Sequence, residues 1–387
     1  MYDFDTVVDR RNGDSIKWKV AENELPMWVA DMDFRTAPEI LDALKSRLDH
    51  GVFGYADVPD AWYNAYINWW GRRHHLKMEK ENLIFSAGVM PSIFSVIEQL
   101  AAPGENIVIQ SPVYNNFYNC IENSDCNVVE NKLLYKNGTY AIDFTDLEQK
   151  LSNPQTTVMI LCNPHNPIGK IWSAEDLAKI GELAKKYNVT VISDEIHCDI
   201  TEPGKSYVPF AAASETCREV SVTCIAPTKT FNLAGLHTSA VYVASPILRR
   251  KVRHALYTDK IAAPNSFATV AAIAAFEQGE PWLESLREYL WKNRKLVEDF
   301  LAKELPEIKA VKGDATYLVW LDISALPETG RNVAAYLRRK TGLFLIGGDV
   351  YGAGGEHFLR MNVACPKSVC QEGLNRLKQG IAALLQA

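Results

Sequence analysis

The chain predicts an α/β fold with a mostly parallel central sheet in a large domain and a smaller α+β domain. Two observations carry this. Short apolar runs rich in Val and Ile alternate with segments of helical periodicity, and beyond Pro281 the alternation gives way to a mixture of strands around long helices. The runs at 83–86, 106–110, 157–161, 189–193, 220–225 and 240–244 read as strands. Helical patterns such as Ser173 to Tyr187 lie between them, so the connections are crossovers and the strands mostly parallel. After Pro281 a helix is expected over Trp282 to Leu305, with strands near Ala310 and over Thr316 to Leu321. A helix from Arg331 to Thr341 and strands at 343–346 and 357–363 follow. The large domain is set at 48–280 and the C-terminal small domain at 281–387, with residues 1–47 joining the latter. The chain has no internal repeat, low-complexity tract or linker-like stretch.

Composition narrows the function. The 387 residues are 47% hydrophobic, ample for a large domain and a smaller one, and carry a formal net charge of −6. That charge argues against a nucleic-acid surface, and Arg249-Arg250-Lys251 is too short for a polyphosphate track. Neither a signal peptide nor a membrane span is read, so a cytoplasmic protein without a membrane partner is expected. Eight cysteines without CxxC spacing point to reduced thiols rather than a zinc site. His74 and His75, neighbours on an expected helix, would splay apart, and no metal is expected.

Lys229 is the most informative residue. It follows the apolar stretch Val220 to Ala226 and precedes Phe231-Asn232-Leu233-Ala234, a poor setting for a solvated lysine. A desolvated lysine loses its proton readily and forms Schiff bases with carbonyl compounds, whereas a lysine at a strand end also commonly snorkels to water. Asp194 ends the apolar run Thr190-Val191-Ile192-Ser193, where open α/β sheets bind ligands, though a helix cap is the plainer alternative. Asn166 lies in Asn163-Pro164-His165-Asn166-Pro167 after a third strand, a run that also suits a simple turn. Gly88, Val89 and Met90 follow the strand Leu83 to Ser86 and open a helix whose free N–H groups suit an anion. Arg360 stands inside an apolar strand and needs an anion there.

Together these segments resemble pyridoxal 5′-phosphate (PLP) enzymes of the aspartate aminotransferase fold, over nearly the whole chain. The resemblance implies that Lys229 binds PLP covalently and later acts as base, and that Asp194 pairs with the ring nitrogen. Asn166 would donate to the phenolic oxygen, and His197 stands where many relatives have a tyrosine near that oxygen. Gly88, Val89, Met90 and Thr228 would hold the phosphate, and Tyr114 would stack on the ring. Arg360 would clamp the substrate carboxylate, and Tyr55 would reach the phosphate of a neighbouring subunit, making the protein a homodimer with shared sites.

Class I aminotransferases carry arginine eight residues after the lysine and serine or glycine three before it; here His237 and Ala226 stand there. With Leu25 to Phe34 and the run Pro227-Thr228-Lys229-Thr230-Phe231-Asn232, the chain looks like the MalY/PatB-type carbon–sulfur β-lyases, which include cystathionine β-lyases and cystalysin-like enzymes. The implied activity is β-elimination from L-cystathionine, cysteine or a related S-substituted cysteine. Trp28, Ala30 and Tyr351 would then face the amino-acid substrate. An aminotransferase is the alternative, and a third reading, which the resemblance to one MalY-type relative implies, is an additional role in binding and modulating a transcription factor. Gly347-Gly348 and Gly352 to Gly355 are expected to form turns that shape the pocket.

Overall fold

A computed structural model describes residues 2–386. Seven strands form the large sheet in the spatial order Leu83–Ser86, Ser239–Tyr242, Ser221–Ile225, Thr190–Asp194, Thr156–Cys162, Asn106–Ile109 and Asn127–Glu130. All neighbours pair in parallel except Ser239–Tyr242, which is antiparallel to the strands on both sides. Its direction has a simple cause. The link 226–238 holds only the short 3-10 turn Ala234–Leu236 and no crossover helix, and this same link carries Lys229.

Period-two alternation buries both faces of the sheet. Ile107, Ile109, Val158, Ile160 and Ile192 face one side, beneath the helix Val89–Leu100, whereas Val108, Met159, Leu161 and Val191 face the other. There they meet the helix Ala174–Lys186 through Leu177, Ile180 and Leu183. Ser173 caps that helix by accepting from the Asp176 amide, which sets the start that the sequence suggests.

The second sheet, Lys309–Ala310, Leu318–Asp322, Phe358–Asn362 and Ile346–Gly347, is antiparallel. Helices Glu280–Glu304, Gly330–Thr341 and Lys367–Leu385 cover it. Several expectations are corrected. The single strand at 343–346 divides: Leu343–Phe344 pairs in parallel with Leu25–Pro26, and Ile346–Gly347 joins the second sheet. Thr316 is left-handed (φ 67°), so the strand begins at Leu318. His74 and His75 lie beyond the helix Asp60–Arg73. The edge strand Asn127–Glu130 and the hairpin Leu134–Lys136/Thr139–Ala141 are half-exposed and were not anticipated. Among the described residues no helix is long and apolar enough to cross a membrane.

Candidate active site

A cavity of about 240 Å³ opens at the carboxyl ends of the parallel strands. Its floor holds Asp194, the last residue of the central strand, and Lys229 from the link after the neighbouring strand. Asn166 and His197 enter from the loops beyond Cys162 and Asp194, and Tyr114 from the turn after Ile109. Gly88, Val89, Met90, Thr228 and Ala30 also line it. Gly88 is the N-cap of the helix Val89–Leu100, whose first amides precede any intrahelical partner, and Pro91 has no amide to offer.

The Lys229 ammonium is turned inward and donates to the Ala30 carbonyl at 2.5 Å rather than to a carboxylate. Withdrawal from water pulls its pKa down to about 8; Asp31 and Asp194 oppose the shift and Arg360 adds to it. Burial pushes Asp194 up to about 6 against a hydrogen bond from the Ile196 amide (3.1 Å) and the Lys229 charge. His197 is driven to about 3 by burial and by the Lys229 and Arg360 charges, so it is neutral, with Nδ1 unpartnered. Lysine is reactive as the free amine. Its modification by a small aldehyde with cyanoborohydride should therefore rise through pH 8 and level off above it, with roughly a tenth of the molecules reactive at pH 7. A rate still climbing toward pH 10.5, followed by peptide mapping of Lys229, would contradict the assignment.

Arg360, on the strand Phe358–Asn362, does not itself line this cavity, and neither does Tyr351; it meets the cavity through Asn166. Its Nη1 donates to Asn166 Oδ1 (3.2 Å), which leaves the Asn166 amide nitrogen to act as a donor. Its Nη2 donates to the Trp28 carbonyl (2.8 Å), and its Nε is buried without a partner. The Tyr351 ring lies 5.0 Å from the guanidinium carbon, with its own hydroxyl buried and unpartnered.

Residues 28–34 form a strap, with Ala30 lining the cavity, that the residues around the site hold through its main chain and that Arg10 and Lys17 hold through the Asp31 and Asp33 carboxylates. Asn362 Nδ2 donates to the Val29 and Asp31 carbonyls, and Asn232 bonds Met32 through both its amide and carbonyl and also reaches the Phe34 carbonyl. Tyr317 donates to the same Ala30 carbonyl as Lys229, at 3.0 Å. The Trp28 ring is turned away from the cavity: it stacks on Phe344 at 4.8 Å and its Nε1 bonds the Lys17 carbonyl. The carbonyl of Trp28, not its ring, meets Arg360. Tyr55 is fully exposed and outside the cavity of its own chain. His237 is at the exposed rim in a left-handed conformation (φ 51°).

Sequence reasoning missed Tyr317, Asn232 and Asn362. Each acts on the strap across a long stretch of chain, a relation no local pattern carries. It also missed a buried group formed by His74, Cys198 and Asp199. Asp199 there accepts from His74 (2.8 Å), Trp69 (3.1 Å) and Thr230 (3.1 Å), and Arg73 lies at 3.2 Å. An adjacent guanidinium makes this an ion-pair hub rather than a cation site.

The chain matches the aminotransferase class I and II family over residues 21–377. It is 43% identical to cystathionine beta-lyase PatB of Bacillus subtilis (strain 168), across 98% of this chain and 100% of that protein. Identity to protein MalY of Escherichia coli (strain K12) is 32%, across 100% and 99% of the two chains. The fold superposes on cystalysin from Treponema denticola, whose crystal structure contains pyridoxal 5′-phosphate, with a TM-score of 0.96, 32% identity and coverage of 99% and 100%. This α/β chain, with its strand-end cavity and inward-turned lysine, belongs to the aminotransferase class I and II family.

Proposed function

We propose that this protein is a PLP-dependent carbon–sulfur β-lyase that splits L-cystathionine or a related S-substituted cysteine into a thiol, pyruvate and ammonia. The observation that carries the reading is its full-length, 43% identity to a cystathionine beta-lyase. The cavity suits the cofactor. It offers a lysine without a hydrogen-bonded carboxylate partner, a buried acid lining the same cavity, and free helix amides that would take a phosphate. PLP supplies the electron sink for charge left on the substrate Cα.

The chain's residues divide the remaining work. Lys229 would hold the cofactor covalently; Asp194 would sit by its ring nitrogen, Asn166 and neutral His197 by its phenolic oxygen, and Tyr114 against its face. Gly88, Val89, Met90 and Thr228 would bind the phosphate. Arg360 would exchange the Trp28 carbonyl for the substrate carboxylate, a stronger acceptor, and thereby orient the Cα–H bond. Burial holds the Lys229 pKa down at about 8, so as a free amine it would serve as the base that takes the proton from Cα. The strap and Tyr351 would border the group on sulfur, through the Ala30 wall, the Trp28 carbonyl and the Tyr351 ring.

The test is purified, PLP-loaded protein with L-cystathionine and, separately, L-cysteine, without a keto acid. Pyruvate released in step with thiol or sulfide is expected. Product only after a keto acid is added would make the protein an aminotransferase instead.

We also read the protein as a cytoplasmic homodimer, with 48–280 as the large domain and 1–47 joined to 281–387 as the small one. Leu48, Val52, Phe53 and Tyr55 are exposed, with the Phe53 ring 5.7 Å from that of Phe267, apolar surface suited to a second copy. If Tyr55 serves the partner's site, mixing inactive Lys229→Ala and impaired Tyr55→Ala chains under subunit exchange should yield activity that neither has alone, because the hybrid holds one intact site. Additive activities only would leave Tyr55 outside the site.

A further inference from the structure

Glu130 closes the edge strand Asn127–Glu130 and gathers donors from three separate segments. Its Oε1 accepts from Tyr118 Oη (2.8 Å), and its Oε2 from Ser111 Oγ (2.9 Å) and the Ala353 amide (3.0 Å). Ser111 belongs to the turn that carries Tyr114; Ala353 belongs to the loop that joins the second-sheet strands Ile346–Gly347 and Phe358–Asn362 and carries Tyr351. A further bond runs along the same seam from the Val113 amide to the Tyr351 carbonyl (2.8 Å), and Tyr118 Oη, its proton on Glu130, lies 3.3 Å from that carbonyl.

The loop reaches this anchor through backbone that excludes side chains. Gly352 has φ 89°, and a Cβ there would lie 1.6 Å from Tyr118 Oη and 2.8 Å from Glu130 Oε1. At the loop's base Gly348 and Gly355 touch: a Cβ on either would come within 2.2 Å of the other's carbonyl. The loop is therefore pinched at its base and bolted at its tip, with Tyr351 held against Arg360 between the two points.

We propose that Glu130 is a positioning residue for the substrate slot, fastening the Tyr351 loop to the Tyr114 turn and so setting the gap that Arg360 and Tyr351 present to the amino-acid substrate. The inference rests on the reading of Arg360 and Tyr351 as substrate-facing. Glu130 touches neither Lys229 nor Asp194, so its loss should act on substrate binding more than on the proton transfers.

The experiment compares PLP-loaded wild type, Glu130→Ala and Glu130→Gln. Glu130→Ala should raise KM for L-cystathionine about tenfold or more while kcat stays within about threefold, and Glu130→Gln, which keeps an acceptor, should recover part of the loss. Hydrogen–deuterium exchange of the 348–355 peptide should quicken in the same order. Unchanged exchange, or quickened exchange with unchanged KM, overturns the proposal. Should Glu130→Ala not fold, Tyr118→Phe removes one donor and must shift KM and exchange in the same direction. Should wild type show no β-elimination, the lyase reading fails alone. The Kd of L-alanine, titrated through the cofactor's visible band, then decides: a value unaffected by Glu130→Ala refutes the positioning role.

Discussion

Lys229→Ala is expected to lower β-elimination by on the order of 10⁴-fold, with the fold intact and the cofactor no longer covalently held. The size follows from one side chain doing two jobs. It is the tether, and it is the base at Cα, made effective because withdrawal from water brings it to about 8 where an ordinary lysine would be protonated. Added amines can replace the base in part, so partial rescue by methylamine is also expected. The measurements are pyruvate release and the visible absorbance of the lysine-bound cofactor; persistence of that band in the variant refutes the assignment.

Asp194→Asn is expected to lower kcat by about 10²- to 10³-fold, since an amide lacks the charge that keeps the ring nitrogen protonated. A loss smaller than about tenfold, at full cofactor content, would remove Asp194 from that role. The same substitution should stabilise the cofactor-free protein. Burial raises the native Asp194 pKa to about 6, so between about pH 4 and 6 the native state holds a proton that the unfolded chain has released. Stability contributed by this group is complete at low pH and falls as pH rises through that window. The variant escapes the fall and should be the more stable by about 2–3 kcal/mol at pH 7. Urea unfolding of both apoproteins at pH 4 and pH 7 measures it; equal differences at the two pH values would show that Asp194 does not titrate in the native state.

What could be read from the chain were features whose signal is local. Asp194 and Lys229 each follow a run of buried β-branched residues, and Gly88 separates a strand from a helix, so strand-end geometry already pointed them at one place. The strap was legible as a segment but not in orientation: Trp28 looks like a contact residue, yet a stack on Phe344 turns it away. Tyr317 and Glu130 act through partners hundreds or tens of residues distant, Ala30 and Ala353 among them. The antiparallel strand Ser239–Tyr242 reads like its parallel neighbours because direction is decided by the link before it, not by the strand's residues.

The way the strap is held has an evolutionary consequence. Asn232, Asn362, Arg360, Tyr317 and Lys229 all bond it through peptide groups, so none of them grips the side chains of Val29 or Ala30. Those positions can drift under selection for new sulfur compounds while the amides and carbonyls keep the segment seated. Substrate preference can thus diverge among descendants of this chain by exchange of a few strap residues, with the catalytic lysine and its neighbours left as inherited.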